Sequence, residues 1–372
     1  MKPNLKHYMN RHHYCVIMAG GTDGRFWPMS REFRPTQFID LPGNGHSLIW
    51  LTWQRCLGLF PKENIFIITL TRFRDQVFEA LPDFPPENLL LEPYGRKTAP
   101  CTVYATYAIL KRDPEAVVAM VPTDQVIFDG ELFEQTMRDA LAYAAEHPVL
   151  VTLGIVPSRP DPNFGYIQAA GGKAARNSDK PVPVKTFTEK PDPEIAEAFC
   201  KSEEFFWNAG IFIWQAAVIR EECERYIPEI TTLFTGWEIA LGSPAETVFL
   251  ERAYTDCSKQ SIDYGVMEKT ARAWVYPARF RWSDINNWDT FYNTYPHKDG
   301  NGNILRTKRP LVSETEGSIL LLEDQSKMLA IKGLKDYIVI DTDDVLLICP
   351  RNETCYLDLT GSIAMPGYKD IR

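Results

Sequence analysis

The segment Val16-Ile-Met-Ala-Gly-Gly-Thr-Asp-Gly-Arg-Phe-Trp-Pro-Met-Ser30 concentrates residues suited to anion chemistry. An apolar strand that ends in a glycine turn exposes backbone N–H groups, and such groups cradle phosphate. Arg25, inside the turn, can add a bidentate, charge-assisted contact to phosphate oxygens. The pattern GxxxxGK[ST] is absent, so this is not a P-loop. A plain tight turn can carry the same glycines, so the surrounding charge matters. Residues 1–45 hold six basic residues (Lys2, Lys6, Arg11, Arg25, Arg31, Arg34) against three acidic ones (Asp23, Glu32, Asp40), a local +3. The whole 372-residue chain carries −9. A basic segment in an acidic chain suggests a site for a small anion, while the acidic whole is a poor partner for nucleic acid or an anionic membrane.

The elements around that turn must position it. Strands are expected at 14–18, 65–69, 89–91, 116–121 and 149–155, with helices at 47–59, 72–80, 98–111 and 130–146 between them. Such alternation gives βαβ units and a mostly parallel sheet. Ligands bind at the carboxyl ends of its strands, which singles out 19–37, 92–97, 122–126 and 156–166. From 156 to 300 the pattern loosens. Strands at 165–168, 182–188 and 207–214 and helices at 193–201 and 216–226 are broken by proline-rich loops, and the stretch reads as an insertion walling a pocket. Apolar runs then start at 319, 328, 337 and 345, a spacing that indicates a small all-β unit. The expected domains are 12–297 and 301–372.

Apolar residues make up 45% and charged residues 24%, the balance of a folded globular protein rather than a disordered one. Met1 to His13 has no apolar core of a signal peptide, and no apolar run nears the ~20 residues of a membrane span. The eight scattered cysteines include no CxxC, so free thiols in a cytoplasmic protein are expected.

Ordered segments along the chain carry a resemblance. They include the glycine turn, Arg34-Pro-Thr-Gln-Phe38, Glu92-Pro-Tyr-Gly-Arg-Lys-Thr-Ala-Pro100, Pro122-Thr-Asp124, Phe164-Gly-Tyr-Ile167 and Phe187-Thr-Glu-Lys-Pro-Asp192. Trp207-Asn-Ala-Gly-Ile-Phe-Ile-Trp214, Ser261-Ile-Asp-Tyr-Gly-Val-Met-Glu-Lys269 and Trp282-Ser-Asp284 follow. Together these resemble the sugar nucleotidyltransferases, in particular the mannose-1-phosphate guanylyltransferases, over about residues 15–351. The resemblance implies a Rossmann-like, GT-A-like mixed α/β nucleotidyltransferase domain. It also implies a small C-terminal β domain, a short left-handed β-helix of a kind used in dimer contacts, so a homodimer is expected. The implied reaction joins GTP and mannose 1-phosphate into GDP-mannose and pyrophosphate, with Mg²⁺ and in-line attack on the α-phosphorus, feeding polysaccharide synthesis. The matched positions assign Arg25, Asp124, Lys190 and Asp284 to catalysis, with Asp124 and Asp284 as metal ligands. Ala19, Gly20, Gly21, Arg25, Glu92, Pro93, Lys97 and Thr98 fall to the nucleotide. Glu92 would accept from guanine N1–H and N2–H. Gly165, Tyr166, Glu189, Lys190, Asn208 and Gly210 fall to the sugar phosphate.

Several positions depart from the family pattern. Asp23 stands at a glycine position, Thr36 replaces a lysine that neutralises phosphate, and Gln125 replaces a histidine. Lys97 replaces an asparagine, and Asn286-Asn287 replaces a Gly-Ser pair. One reading is a rebuilt site in which Lys97 restores the charge lost at Thr36. Another is a catalytically impaired paralogue that binds a GDP-sugar and regulates or scaffolds. A third is a transferase with a changed sugar or nucleotide.

Overall fold

A computed structural model describes residues 9–22, 24–363 and 366–371. Asp23 lies outside the described residues. The chain forms two compact units. Unit 1 comprises the residues up to Gly20, Thr52–Thr123 and Ile127–Trp282; unit 2 comprises Gly21–Leu51, Asp124–Val126 and the residues from Ser283 onward. The sequence suggests one break near 297–301, whereas the units interleave. The reason lies in the core of unit 2, where Phe26, Ile39, Leu41 and Leu48 pack with Trp288, Phe291, Ile319 and Ile340. Apolar burial of this kind groups segments that are remote in sequence.

Unit 1 is built on β1 (His13–Met18), β2 (Ile65–Leu70), β3 (Leu89–Glu92) and β4 (Val117–Pro122). The short strand β5 (Gln125–Ile127) is followed by β6 (Leu150–Ile155), β7 (Tyr166–Ala169), β8 (Val182–Thr188), β9 (Phe205–Gln215) and β10 (Ala273–Ala278). Nine of these form one sheet in the order β3-β2-β1-β4-β9-β6-β10-β8-β7. The first four are parallel neighbours, and β9 enters between β4 and β6 antiparallel to both. The first strands are apolar on both faces, as a sheet covered on both sides requires; β2 is buried along its whole length.

Residues 156–300 therefore do not form a separate insertion. Four of their strands complete the sheet, and β9 lies at its centre because Ile213 and Trp214 are fully buried. Between β9 and β10 run helices over Ala216–Tyr226 and Glu246–Thr255 and one π-helical turn over Asp263–Met267.

Unit 2 contains β11 (Trp282–Asp284, from Ser283 onward), β12 (Ile304–Arg306), β13 (Arg309–Ser313), β14 (Ile319–Leu322), β15 (Met328–Lys332), β16 (Tyr337–Asp341) and β17 (Leu346–Pro350). β12, β14 and β16 stack in parallel with Ile304, Ile319 and Ile338 in register, and β13 pairs with β15 in a second parallel layer. Successive turns of chain thus lie on one another as in a β-helix, with Leu320, Leu322, Leu329 and Val339 packed together. All eight cysteines are free, and six are buried.

Candidate functional site

In unit 1 the glycine turn leaves the carboxyl end of β1. Ala19 is committed to the sheet: its N–H donates to the Ile68 carbonyl at 2.8 Å and its carbonyl accepts from Thr69 Oγ1 at 2.7 Å. Backbone presented to a ligand therefore starts at Gly20. A Cβ there would stand 3.1 Å from Glu92 Oε2, so the turn and the end of β3 touch. Glu92 is 4% exposed, and its Oε1 accepts from the Tyr254 hydroxyl at 3.0 Å. Burial pushes its carboxyl up to about 8, against the lowering effect of that hydrogen bond. Near neutral pH the group is largely protonated, so it carries a donor as well as an acceptor. Tyr254 is a partner that the motif at residue 92 gave no means of finding.

Beyond Pro93, Arg96 fixes the loop by donating to the carbonyls of Tyr254 and Thr255, each at 3.0 Å. Lys97 is exposed and sits at φ 65°, immediately before the helix Thr98–Arg112. With ψ −165° this is a region that essentially only glycine occupies, so the conformation is costly for a lysine. Thr98 Oγ1 accepts from the Ile262 N–H at 2.9 Å, and the Ala99 N–H donates to the Gln260 carbonyl at 3.0 Å. Thr98 thereby ties the helix start to the segment 260–262.

The residues assigned to the sugar phosphate do come together. Gly165 precedes β7; a Cβ there would lie 2.4 Å from Glu189 Oε2 and 3.3 Å from Asn208 Cβ. The Asn208 N–H donates to the Gly165 carbonyl at 2.8 Å, and the Lys190 N–H donates to the Phe164 carbonyl at 3.2 Å. Asn208 is aimed by a bulge. Between Thr152–Phe212 and Gly154–Asn208 the register gives β9 two more residues than β6, with Gly210 at φ 68°. The side chain is then locked, because Asn208 Oδ1 accepts from Thr152 Oγ1 at 2.9 Å and from the Gly210 N–H at 3.0 Å. Its Nδ2 donates to Asp263 Oδ1 at 2.9 Å. Lys190 is exposed at φ 48°. Tyr166 is different: its ring is fully buried and its hydroxyl bonds the backbone of Asp161, so any contact it makes to a ligand is through its main chain.

Charge in this cluster is unusual. Burial, and next the charge of Asp263, pushes the Glu189 carboxyl up to about 7. Burial pushes Asp263 up to about 6. Lys190 opposes both shifts and Glu268 reinforces both. Strongly shifted groups beside one another are a mark of functional sites.

In unit 2, Gln37 Nε2 donates to the Gly21 carbonyl at 2.9 Å, which explains the Gln in Arg34-Pro-Thr-Gln-Phe38. Arg25 is exposed, and the Tyr356 hydroxyl binds the carbonyls of Arg25 and Trp27 at 3.1 and 3.0 Å. Two other arginines of the basic segment are neutralised: Arg31 pairs with Asp344 at 2.7 Å, and Arg34 with Glu323 at 3.4 Å. Thr36 is buried in a one-turn 3-10 helix over Thr36–Phe38. Gln125 is buried as well. Asn287 caps the helix Trp288–Thr294 by accepting from the Thr290 N–H at 2.7 Å, and Asn286 Oδ1 accepts from Thr290 Oγ1 at 3.1 Å. The Asn-Asn substitution thus has a structural role.

Asp124 and Asp284, 160 positions apart, are neighbours. The Ile285 N–H donates to the Asp124 carbonyl at 3.1 Å, and both aspartates are half-buried. Both side chains are carboxylates, the hard oxygen donors that Mg²⁺ prefers, and one or two such ligands suffice. The donor set therefore fits that ion. His12, Asp113 and Glu115, in unit 1, also group their ligand atoms within 4.8 Å. There the ring nitrogens are already engaged, Nδ1 with Asp113 at 2.8 Å and Nε2 as acceptor from Arg11 Nε at 3.0 Å, so the trio is not arranged as a chelate.

The profile of the family described as Nucleotidyl transferase matches residues 14–299. This chain belongs to that family. Its fold is the mixed α/β nucleotidyltransferase fold, and the chain is a transferase. It is 34% identical over 348 residues to a mannose-1-phosphate guanylyltransferase of Escherichia coli strain K12, covering 91% of this chain and 70% of that protein. It is 32% identical over 346 residues to the xanthan biosynthesis protein XanB of Xanthomonas campestris, with the same coverage. A crystal structure from Thermus thermophilus, described as a mannose-1-phosphate geranyltransferase, superimposes with a TM-score of 0.82 at 27% identity; it covers 95% of this nucleotidyltransferase and is itself covered entirely. No helix among the described residues is long and apolar enough to cross a membrane.

Proposed function

We propose that this nucleotidyltransferase transfers GMP from GTP to mannose 1-phosphate, releasing pyrophosphate. The observation that carries the reading is the convergence of Glu189, Lys190 and Asn208 around Gly165 in a chain whose curated relatives bear that name. A carboxyl and an amide suit sugar hydroxyls, and an ammonium suits the phosphate.

In this account a sugar-phosphate oxygen attacks the α-phosphorus in line, and pyrophosphate departs from the opposite side. Little covalent work falls to the protein; positioning and charge neutralisation dominate. Lys190 orients the attacking phosphate, and Glu189 and Asn208 orient the hexose. N–H groups of Gly20 and Gly21 and the Arg25 guanidinium receive the triphosphate. Glu92 and Pro93 receive the guanine edge, with Tyr254 fixing which Glu92 oxygen is presented. Asp124 and Asp284 would hold Mg²⁺, which would supply charge neutralisation at the phosphates.

Because Gly165 leaves room for Glu189 Oε2, Gly165→Ala is expected to displace chiefly the flexible Glu189 tip, with a small adjustment at Asn208 Cβ. The KM for mannose 1-phosphate should then rise about tenfold, the loss of roughly one hydrogen bond to a charged group, while Tm stays nearly constant. Steady-state kinetics with thermal melting check this.

The burial of Thr36 favours a second reading, in which the chain binds a GDP-sugar and regulates or scaffolds without turnover, because position 36 offers no cation to the phosphates. Lys97 discriminates. If it supplies the missing charge, Lys97→Gly should relieve the backbone at φ 65°, ψ −165° and raise Tm, while lowering kcat at least about tenfold. A melting curve and a pyrophosphate-release assay on one preparation give both numbers. Unchanged kcat removes Lys97 from the mechanism. Absence of turnover in the unmodified chain, with GDP-mannose still bound, supports the second reading.

A further inference from the structure

The turn Asp263–Met267 takes the rare π-helical form, with the Glu268 N–H donating to the Asp263 carbonyl five residues back at 3.0 Å. Such turns recur at functional sites. Gly265 lets this one pack closely, since a Cβ there would lie 3.0 Å from Ile227 Cγ2. Three side chains of this segment reach the residues assigned to the sugar phosphate. Asp263 Oδ1 accepts from Asn208 Nδ2 at 2.9 Å, Glu268 Oε1 accepts from the Glu189 N–H at 3.0 Å, and the Tyr264 hydroxyl donates to the Glu189 carbonyl at 3.3 Å. The residue after β8 and a residue within β9 are thus both held by one short turn.

We propose that Asp263 is a positioning residue that fixes Asn208 and places a negative charge beside the Glu189 segment, so that residue 263 sets the affinity for the sugar phosphate. This rests on the assignment of Glu189 and Asn208 to the sugar phosphate. Asn208 has both side-chain acceptor contacts filled by Thr152 and Gly210, and Asp263 takes one of its two remaining N–H bonds. One N–H is thereby left with a defined direction for a ligand oxygen. Glu189 is held at its own backbone by Glu268 and Tyr264. The ionisable groups that face Glu189 are Asp263, Glu268 and Lys190, and those that face Asp263 are Glu268 and Lys190. Two carboxyls that repel each other lose their protons in two coupled steps. The negative charge of Asp263 opposes ionisation of Glu189. A protonated Glu189 loses acceptor capacity for sugar hydroxyls, so affinity should fall as pH drops through that ionisation. Removing the charge at 263 should move the fall to lower pH.

The test is the calorimetric Kd of mannose 1-phosphate for the full chain between about pH 5.5 and 8.5, together with the Kd of GTP and the Tm. The phosphate of the ligand has its own ionisation near pH ~6, but it is common to all variants, so the difference between profiles isolates the protein groups. Asp263→Asn keeps a group able to accept from Asn208 and removes the charge; its profile should move to lower pH by about one unit. Asp263→Ala should show the same displacement and, above the fall, weaken sugar-phosphate binding about tenfold, with GTP affinity changed less than about twofold. Should Asp263→Ala fail to fold, Asp263→Asn alone decides. A profile for Asp263→Asn that superimposes on the unmodified protein overturns the role of Asp263, as does an equal loss of GTP and sugar-phosphate affinity. Failure of the unmodified protein to bind mannose 1-phosphate at any pH overturns the functional assignment itself, and the role of Asp263 falls with it.

Discussion

Asp124→Asn and Asp284→Asn are each expected to lower kcat by about 10²–10³-fold, the scale of removing one preorganised electrostatic contact to the transition state. Tm should change by no more than a few degrees. The two residues are 160 positions apart, yet the Ile285 N–H bonds the Asp124 carbonyl, so the fold brings their backbones side by side. An Asp-to-Asn change keeps shape and one acceptor oxygen while it removes the charge that a hard divalent cation requires. The loss should therefore appear in turnover and in the Mg²⁺ concentration needed for half-maximal rate, and not in sugar-phosphate affinity. Measurement of kcat against Mg²⁺ concentration, beside a melting curve, checks both parts. A loss below about tenfold in both variants would remove the aspartate pair from the mechanism.

Lys190→Met should lower kcat/KM for mannose 1-phosphate by about 10²-fold, the upper part of the range for a hydrogen bond to a charged group, and leave the KM of GTP within about threefold. Two features of the backbone support a ligand role for Lys190. It lies at φ 48° although it is neither glycine nor asparagine, and it immediately precedes Pro191. Its N–H is nevertheless held by the Phe164 carbonyl at 3.2 Å. A non-glycine residue kept in such a conformation costs on the order of 1 kcal/mol or more, and strain of this kind gathers at functional sites. Lys190→Gly separates the contributions: it should raise Tm while losing activity as severely as Lys190→Met. A glycine variant that keeps normal kcat/KM would assign the turn to structure alone.

Much of the fold is legible in the residues. Helix Gly130–Glu146, strand Val182–Thr188 and helix Ala216–Tyr226 begin and end where periodicity and flanking residues place them. The starts of Ile319–Leu322, Met328–Lys332, Tyr337–Asp341 and Leu346–Pro350 follow the regular spacing of the apolar runs. Strand Ala273–Ala278 is hidden because Pro277 argues against a strand, although the residue sits in register with Gly154 of the neighbouring strand. The central position of Phe205–Gln215 is also invisible locally. A buried apolar run says that it is covered, not which strands cover it, and so the region 156–300 reads as an insertion.

The candidate site divides in the same way. Motifs locate Glu189, Lys190 and Asn208, and the structure brings them around Gly165. The motif Ser261–Lys269 marks the segment that holds Asp263, Tyr264 and Glu268 but not their partners, and no local spacing announces Tyr254. The basic segment is narrower than its charge sum suggests. Arg31 and Arg34 are paired with Asp344 and Glu323, so part of the positive charge over residues 1–45 is spent on ion pairs within the protein. Exposed Lys97, at the start of the helix Thr98–Arg112, is the nearest chemical counterpart to the cation missing at Thr36.

The central claim is guanylyl transfer to a hexose 1-phosphate. Its most direct test is pyrophosphate release by the full chain supplied with Mg²⁺, GTP and mannose 1-phosphate, with product identified as GDP-mannose. The account predicts release that requires all three components, that falls with Asp124→Asn, and that is slower with ATP in place of GTP. No release at high enzyme concentration, or equal release without mannose 1-phosphate, would contradict it.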